Sequence, residues 1–147
     1  MKKTLWVALL IVVLTALVLA SCGSGSGSSN GSGLKRNNPP ADYANAVDPF
    51  EGNADAATQG KELYTANCVA CHGENADGSG PAGAALDPKP ANLQLTVNET
   101  SPAYMHWVIT EGGQPTGLSA SMVSYKGILS EDEIWKIVTY LNSTYKK

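Results

Sequence analysis

Cys68-Val69-Ala70-Cys71-His72 is the stretch from which the rest of this 147-residue chain is read. C-x-x-C-H reads as covalent attachment of a c-type haem. Two thiols three residues apart lie on one face of a helical turn, so both can form thioethers with the vinyl groups of one porphyrin. His72 comes directly after the second thiol, which places its imidazole to serve as the proximal iron ligand. A thioredoxin-like redox pair would want a βαβ setting, and a four-ligand zinc site would want a second Cys/His pair. Neither is present, because Cys22 is the only other cysteine and His106 the only other histidine.

Length allows one domain. The apolar fraction of 43% is near the globular average, although the leader inflates it. A single Phe is few for a core of this size, and a porphyrin at the centre would occupy that space. The formal charge is −3, but Lys2 and Lys3 belong to the leader, and without them eight basic side chains face thirteen acidic ones. An acidic surface argues against a nucleic-acid partner and favours a basic docking partner.

Lys2 and Lys3 precede an apolar run from Leu5 to Ala20, a signal-peptide pattern. At 16 residues the run is shorter than the ~20 that span a bilayer comfortably. Leu19-Ala20-Ser21-Cys22 resembles the lipobox of bacterial lipoproteins, which implies that residues 1–21 are removed and that Cys22 carries lipid at the mature N-terminus. The other reading is an uncleaved anchor helix with a bystander cysteine. Both place the remainder outside the cytoplasmic membrane, where c-type haem is attached. The expected location is therefore the extracytoplasmic face of a bacterial cell membrane. Cysteine use then closes: one for lipid, two for haem, none for a disulfide.

Gly23 to Gly33 is almost wholly Gly and Ser, a flexible coil whose eleven residues have an r.m.s. span of roughly 18 Å. Leu34 to Phe50 is rich in Pro and Asn, which argues against a regular helix and for an extended segment continuing the tether or lying on a partner. Residues 22–54 are thus read as lipidated cysteine, tether and extended segment, and 55–147 as the folded domain.

Three helices are expected in that domain. Asn53 or Asp55 can cap the first, running to about Asn67 with Gly60, Leu63 and Tyr64 on one side. The second opens at Ser101-Pro102 and stops at Gly112-Gly113. The last comes after a capping box, Ser130-Glu131-Asp132-Glu133, and carries Ile134, Ile137, Val138 and Leu141 at i, i+3, i+4 and i+7. Gly73 to Leu93 reads as a loop, long for a small domain unless it wraps something. No strand pattern or internal repeat stands out.

With three helices, a haem motif after the first and a capped helix at the end, residues 55 to 145 resemble class I cytochromes c. The resemblance implies an all-α fold of three main helices and long loops around one covalent haem. It implies a close crossing of first and last helices, with Gly60 and Tyr64 against Tyr140 or Leu141. The family has a Pro after the haem motif whose carbonyl accepts the proximal histidine Nδ1–H, and Gly80-Pro81 matches that place. Met105, His106, Met122 or a weaker donor are the candidate distal ligands. Met122-Val123-Ser124-Tyr125 is similar to the family's Met-Pro-Ser/Ala-aromatic ligand loop, with Val123 in place of Pro. Met105 shares a face with Val108 and Ile109 and reads as core, and His106 as a surface or propionate-edge residue. Trp107 reads equally as a haem-edge, core or surface residue.

A His72/Met122 pair would leave no open coordination position and raise the reduction potential. Such a site suits one-electron transfer by a membrane-tethered cytochrome. It would be a carrier between, or a subunit of, respiratory or photosynthetic complexes, and not an enzyme by itself. Its partners would be a quinol-oxidising complex, a cytochrome oxidase or another redox protein. The lipobox, Pro-rich segment and Gly/Pro-rich loop are similar to small cytochrome subunits of quinol-oxidising complexes such as alternative complex III. The rival is a haem enzyme or gas sensor with a labile sixth ligand, a reading that Val123 favours.

Overall fold

A computed structural model describes residues 36–147, so the expected leader, Cys22 and the Gly/Ser-rich run lie outside the described residues. In chain order the helices are α1 (Ala41–Ala44), α2 (Ala54–Asn67), α3 (Val69–His72), a 3-10 turn at Pro81–Gly83, α4 (Leu93–Glu99), α5 (Pro102–Glu111) and α6 (Glu131–Tyr145). No strand forms among the described residues, and none of their helices is long and apolar enough to cross a membrane.

The long helices start where side chains can meet the amides that a helix leaves unpaired. Asn53 Oδ1 accepts from Ala56 N–H at 3.0 Å to open α2. Ser101 Oγ accepts from Tyr104 N–H at 3.1 Å with Pro102 at the first position of α5. At α6 the capping box is complete: Ser130 Oγ accepts from Glu133 N–H at 3.3 Å, and Ser130 N–H donates to Glu133 Oε2 at 2.8 Å.

The apolar stripe of α6 is the centre of the core. Ile134, Ile137, Val138 and Leu141 are almost fully buried, and α2, α4 and α5 all pack against that helix. Each such side chain contributes on the order of 1.5–3 kcal/mol on leaving water. Helices α2 and α6 meet at Gly60, where an added Cβ would overlap the Lys136 carbonyl and lie 3.0 Å from Tyr140 Cβ. One turn on, the Tyr64 and Tyr140 rings pack with centroids 5.6 Å apart. The expected crossing is present, with Tyr140 as the aromatic partner.

Three features depart from the sequence reading. Leu93–Glu99 is helical, capped by Asn92, whose Oδ1 accepts from Leu95 N–H at 3.3 Å. Within Leu34 to Phe50, expected to be an extended tether or partner contact without a regular helix, the described residues form the one-turn helix α1 and fold back onto the domain. Asn37 N–H donates to the Thr116 carbonyl at 3.1 Å, and the Tyr43 hydroxyl to Glu111 Oε1 at 2.7 Å. The Thr139 hydroxyl of α6 meets the buried Asp48 at 2.8 Å, and Phe50 lies under the Lys136 ammonium. The third concerns His106, which is 4% exposed, not at the surface. Its ring stacks on Trp135 at 4.1 Å beneath Tyr43, because the returning segment covers the outer side of α5. Neither of its nitrogens meets a hydrogen-bond partner. Trp107 is buried beside it, and Met105 is core as expected.

Candidate haem-binding site

Helix α2 delivers the chain to the motif with little slack. Cys68 N–H donates to the Tyr64 carbonyl at 2.8 Å as the helix closes, and α3 starts at the next residue. Cys71 and His72 N–H groups both reach the Cys68 carbonyl, at 3.1 and 2.8 Å. The two thiols and the imidazole therefore ride on one turn, the geometry that a doubly attached porphyrin with a ligand beneath it demands.

The neighbourhood of the two thiols argues against a redox pair. Burial, with the Cys71 thiol beside it, pushes the Cys68 thiol up to about 12. Exchange through a thiolate needs the opposite shift, so the pair is poorly suited to dithiol–disulfide chemistry. Both side chains are half-buried.

Burial lowers the His72 pKa, opposed by a backbone carbonyl, which favours the neutral ring. That carbonyl belongs to Ala91, 3.1 Å from Nδ1. A carbonyl oxygen only accepts, so the proton sits on Nδ1 and the Nε2 lone pair is left as a donor for a metal. The acceptor is therefore Ala91 and not Pro81, the residue expected. Pro81 opens the 3-10 turn and its carbonyl takes Ala84 N–H at 3.4 Å. Ala91 is placed by its neighbours: Asn92 caps α4, and Leu93 N–H donates to the Ala76 carbonyl at 2.7 Å.

The long loop is tied to the motif along its length. The Tyr64 hydroxyl donates to the Gly73 carbonyl at 2.7 Å, and Gly78 N–H to the His72 carbonyl at 2.8 Å. Gly80 N–H reaches the Cys71 carbonyl at 3.2 Å, so close that a Cβ there would lie 2.5 Å from the Ala70 oxygen. Only a residue without a side chain lets the loop cross the motif.

Met122 is half-buried and packs, with Cys68, Val69, Leu93 and Tyr125, against one core. Its carbonyl accepts Gly113 N–H at 2.8 Å and its own N–H donates to the Ser119 carbonyl at 3.1 Å. Downstream, Ser124 Oγ donates to the Thr110 carbonyl at 2.7 Å and Tyr125 N–H to the Ile109 carbonyl at 3.1 Å. The Tyr125 hydroxyl donates to the Asn67 carbonyl at 2.7 Å, joining this loop to the residue before Cys68. Two thiols and an imidazole on one turn, with the Met122 thioether packed against the same core as Cys68, form a donor set that fits haem c.

An all-helical domain whose first long helix runs into a Cys-x-x-Cys-His turn is the architecture of a c-type cytochrome. A family model described as "Cytochrome C oxidase, cbb3-type, subunit III" matches residues 55–141, and the chain belongs to that family. It is 34% identical over 88 residues to cytochrome c6 of Leptolyngbya boryana, covering 60% of this chain and 91% of that protein. Over 39 residues, 26% of this chain, it is 49% identical to the cbb3-type cytochrome c oxidase subunit CcoP of Azospirillum brasilense. It spans only 13% of the length of that subunit. Membership implies haem c as the prosthetic group and electron transfer as the role.

Proposed function

We propose that this chain carries one electron at a time on a single haem. Cys68 and Cys71 would hold the group as thioethers, and His72 and Met122 would ligate its iron. The observation that carries this reading is the Ala91 carbonyl on His72 Nδ1 within the Cys-x-x-Cys turn, which fixes the tautomer an iron ligand needs. Bound haem supplies the one-electron couple. The chain's part is to hold its ligands still between oxidation states, so that little reorganisation accompanies transfer. The Met122 thioether, a soft donor, favours iron(II) and so a high potential. The bonds that hold residues 122–126 to α5 and to Asn67 support a firm sixth ligand, against the sensor or enzyme reading that Val123 favours.

The domain works, on this reading, at the outer face of a bacterial cell membrane, held by lipid on Cys22 through the Gly/Ser-rich run. Its partner is a membrane oxidoreductase. The likeness to an oxidase subunit supports a terminal oxidase, and the lipobox and Pro-rich segment support a quinol-oxidising complex of the alternative complex III type. Expression in a host that matures cytochromes, then denaturing electrophoresis with haem staining and intact mass, tests the attachment. Wild type should retain one haem per chain, and Cys68→Ala with Cys71→Ala should retain none. Haem surviving denaturation in the double variant would overturn the assignment.

A further inference from the structure

We propose that Tyr125 is the positioning residue for the distal ligand, its phenol latching the Met122 loop onto the turn that carries Cys68; this rests on Met122 being that ligand. The loop needs such a device. Val123 stands where a proline would stiffen the chain, and it is 56% exposed, so it holds nothing by packing. Three bonds, to Gly113, Thr110 and Ile109, tie residues 122–125 to α5 and its C-terminal glycines, and a fourth, from Met122 N–H to Ser119, stays within the preceding loop. They fix the loop relative to α5 and leave its distance from the motif to the packing of Met122 and Tyr125 against the core that Cys68 and Val69 share.

The 2.7 Å bond from the Tyr125 hydroxyl to the Asn67 carbonyl pins that distance, across 58 residues of sequence. Asn67 ends α2, so its carbonyl is one of those a helix leaves without an intrahelical donor. The base of the lever is equally fixed. Tyr125 N–H donates to the Ile109 carbonyl, and the Tyr125 carbonyl accepts Ile128 and Leu129 N–H at 2.9 and 3.0 Å. One residue thus joins the end of α2, the last turn of α5 and the turn into α6. The length of a tyrosine sets how far Met122, three residues earlier, stands from the haem-bearing turn. Without the hydroxyl the loop stays on α5 but is free to swing its thioether away from the motif.

The test compares Tyr125→Phe with wild type and with Tyr43→Phe, which loses a hydroxyl bond of the same 2.7 Å length at Glu111, on the returning segment. Phe keeps the ring and its packing. One lost hydrogen bond shifts the closed–open equilibrium of the loop by about tenfold, which is about 1.4 kcal/mol. In the haem-attached iron(II) protein, Tyr125→Phe should bind carbon monoxide about tenfold faster than wild type. The far-red methionine-to-iron(III) band should weaken, while Tyr43→Phe changes neither. If wild type shows that band and Tyr125→Phe matches it in band and carbon monoxide rate, the latch is refuted and Met122 stands. An equal rise in both variants also refutes it, as general loosening. A wild type without the band removes the Met122 reading and the latch together.

Discussion

Gly60→Ala sets helix propensity against packing, and the two predict opposite signs. Propensity alone makes alanine the better residue inside α2 by about 1 kcal/mol. The crossing with α6 says otherwise. The new methyl would overlap the Lys136 carbonyl, with the carbonyl carbon at 2.5 Å and Tyr140 Cβ at 3.0 Å. The struck atoms are largely backbone, so no rotamer change makes room, and the helices must part by roughly 1 Å. A gap of that size forfeits up to about half of each pairwise dispersion contact, and the side chains affected are Tyr64, Ile137, Tyr140 and Leu141. Overpacking costs about 1–3 kcal/mol, and a backbone clash belongs at or above the top of that range. The net loss is about 2 kcal/mol, a drop in Tm of roughly 10 °C for a domain of this size. Urea and thermal unfolding of the haem-attached protein, monitored by far-UV circular dichroism, measure it. Exposed Gln59→Ala next door should stay within about 0.5 kcal/mol of wild type. A Gly60→Ala protein as stable as wild type, or more so, would refute the close crossing.

His106→Phe should stabilise the domain, because the phenyl keeps the stack on Trp135 and removes two buried nitrogens without partners. The gain should be about 1–3 kcal/mol. Burial lowers the His106 pKa, against the opposing pull of Glu131 and Asp48. The unfolded chain therefore takes the proton first: the contribution of this neutral ring is intact above the ordinary imidazole pKa of about 6.5 and is lost as pH falls from there through the lower folded value. Unfolding free energy should fall with acid in that window for wild type and less steeply for His106→Phe. Equal slopes would contradict the burial. Cys22→Ala should release the domain from membranes, or leave an unprocessed precursor, with haem retained; membrane fractionation reads it, and a processed chain that stays bound through a high-salt wash would show that Cys22 is not the tether.

Much of the fold was legible because it is written in local chemistry. The capping box at Ser130 and Glu133, the stripe from Ile134 to Leu141 and the Asn53 and Ser101 caps each act within one or two turns, and the helices form where those signals lie. Cys68, Cys71 and His72 share one turn for the same reason. What sequence reading missed depends on distant parts of the chain meeting. Helix α4 is only seven residues between proline-bearing stretches, and Asn92, its cap, was the available signal. Missing α4 also misplaced the His72 acceptor, since Ala91 is held by that cap and by Leu93, whereas Pro81 merely lies nearer in sequence. His106 looked exposed because periodicity assumes solvent on one side of α5. Tyr43 returns from the segment before α2 to cover that side, while Asp48 from the same segment meets Thr139 on α6, and no periodic pattern announces it.

The axial pair is the central claim, and proton NMR of the reduced, haem-attached protein tests it most directly. A thioether methyl held over a haem face is pulled far upfield by the ring current. One such methyl resonance is expected, lost in Met122→Ala and kept in Met105→Ala. A reduced spectrum without it, or one in which Met105→Ala removes it and Met122→Ala does not, contradicts His72/Met122 ligation.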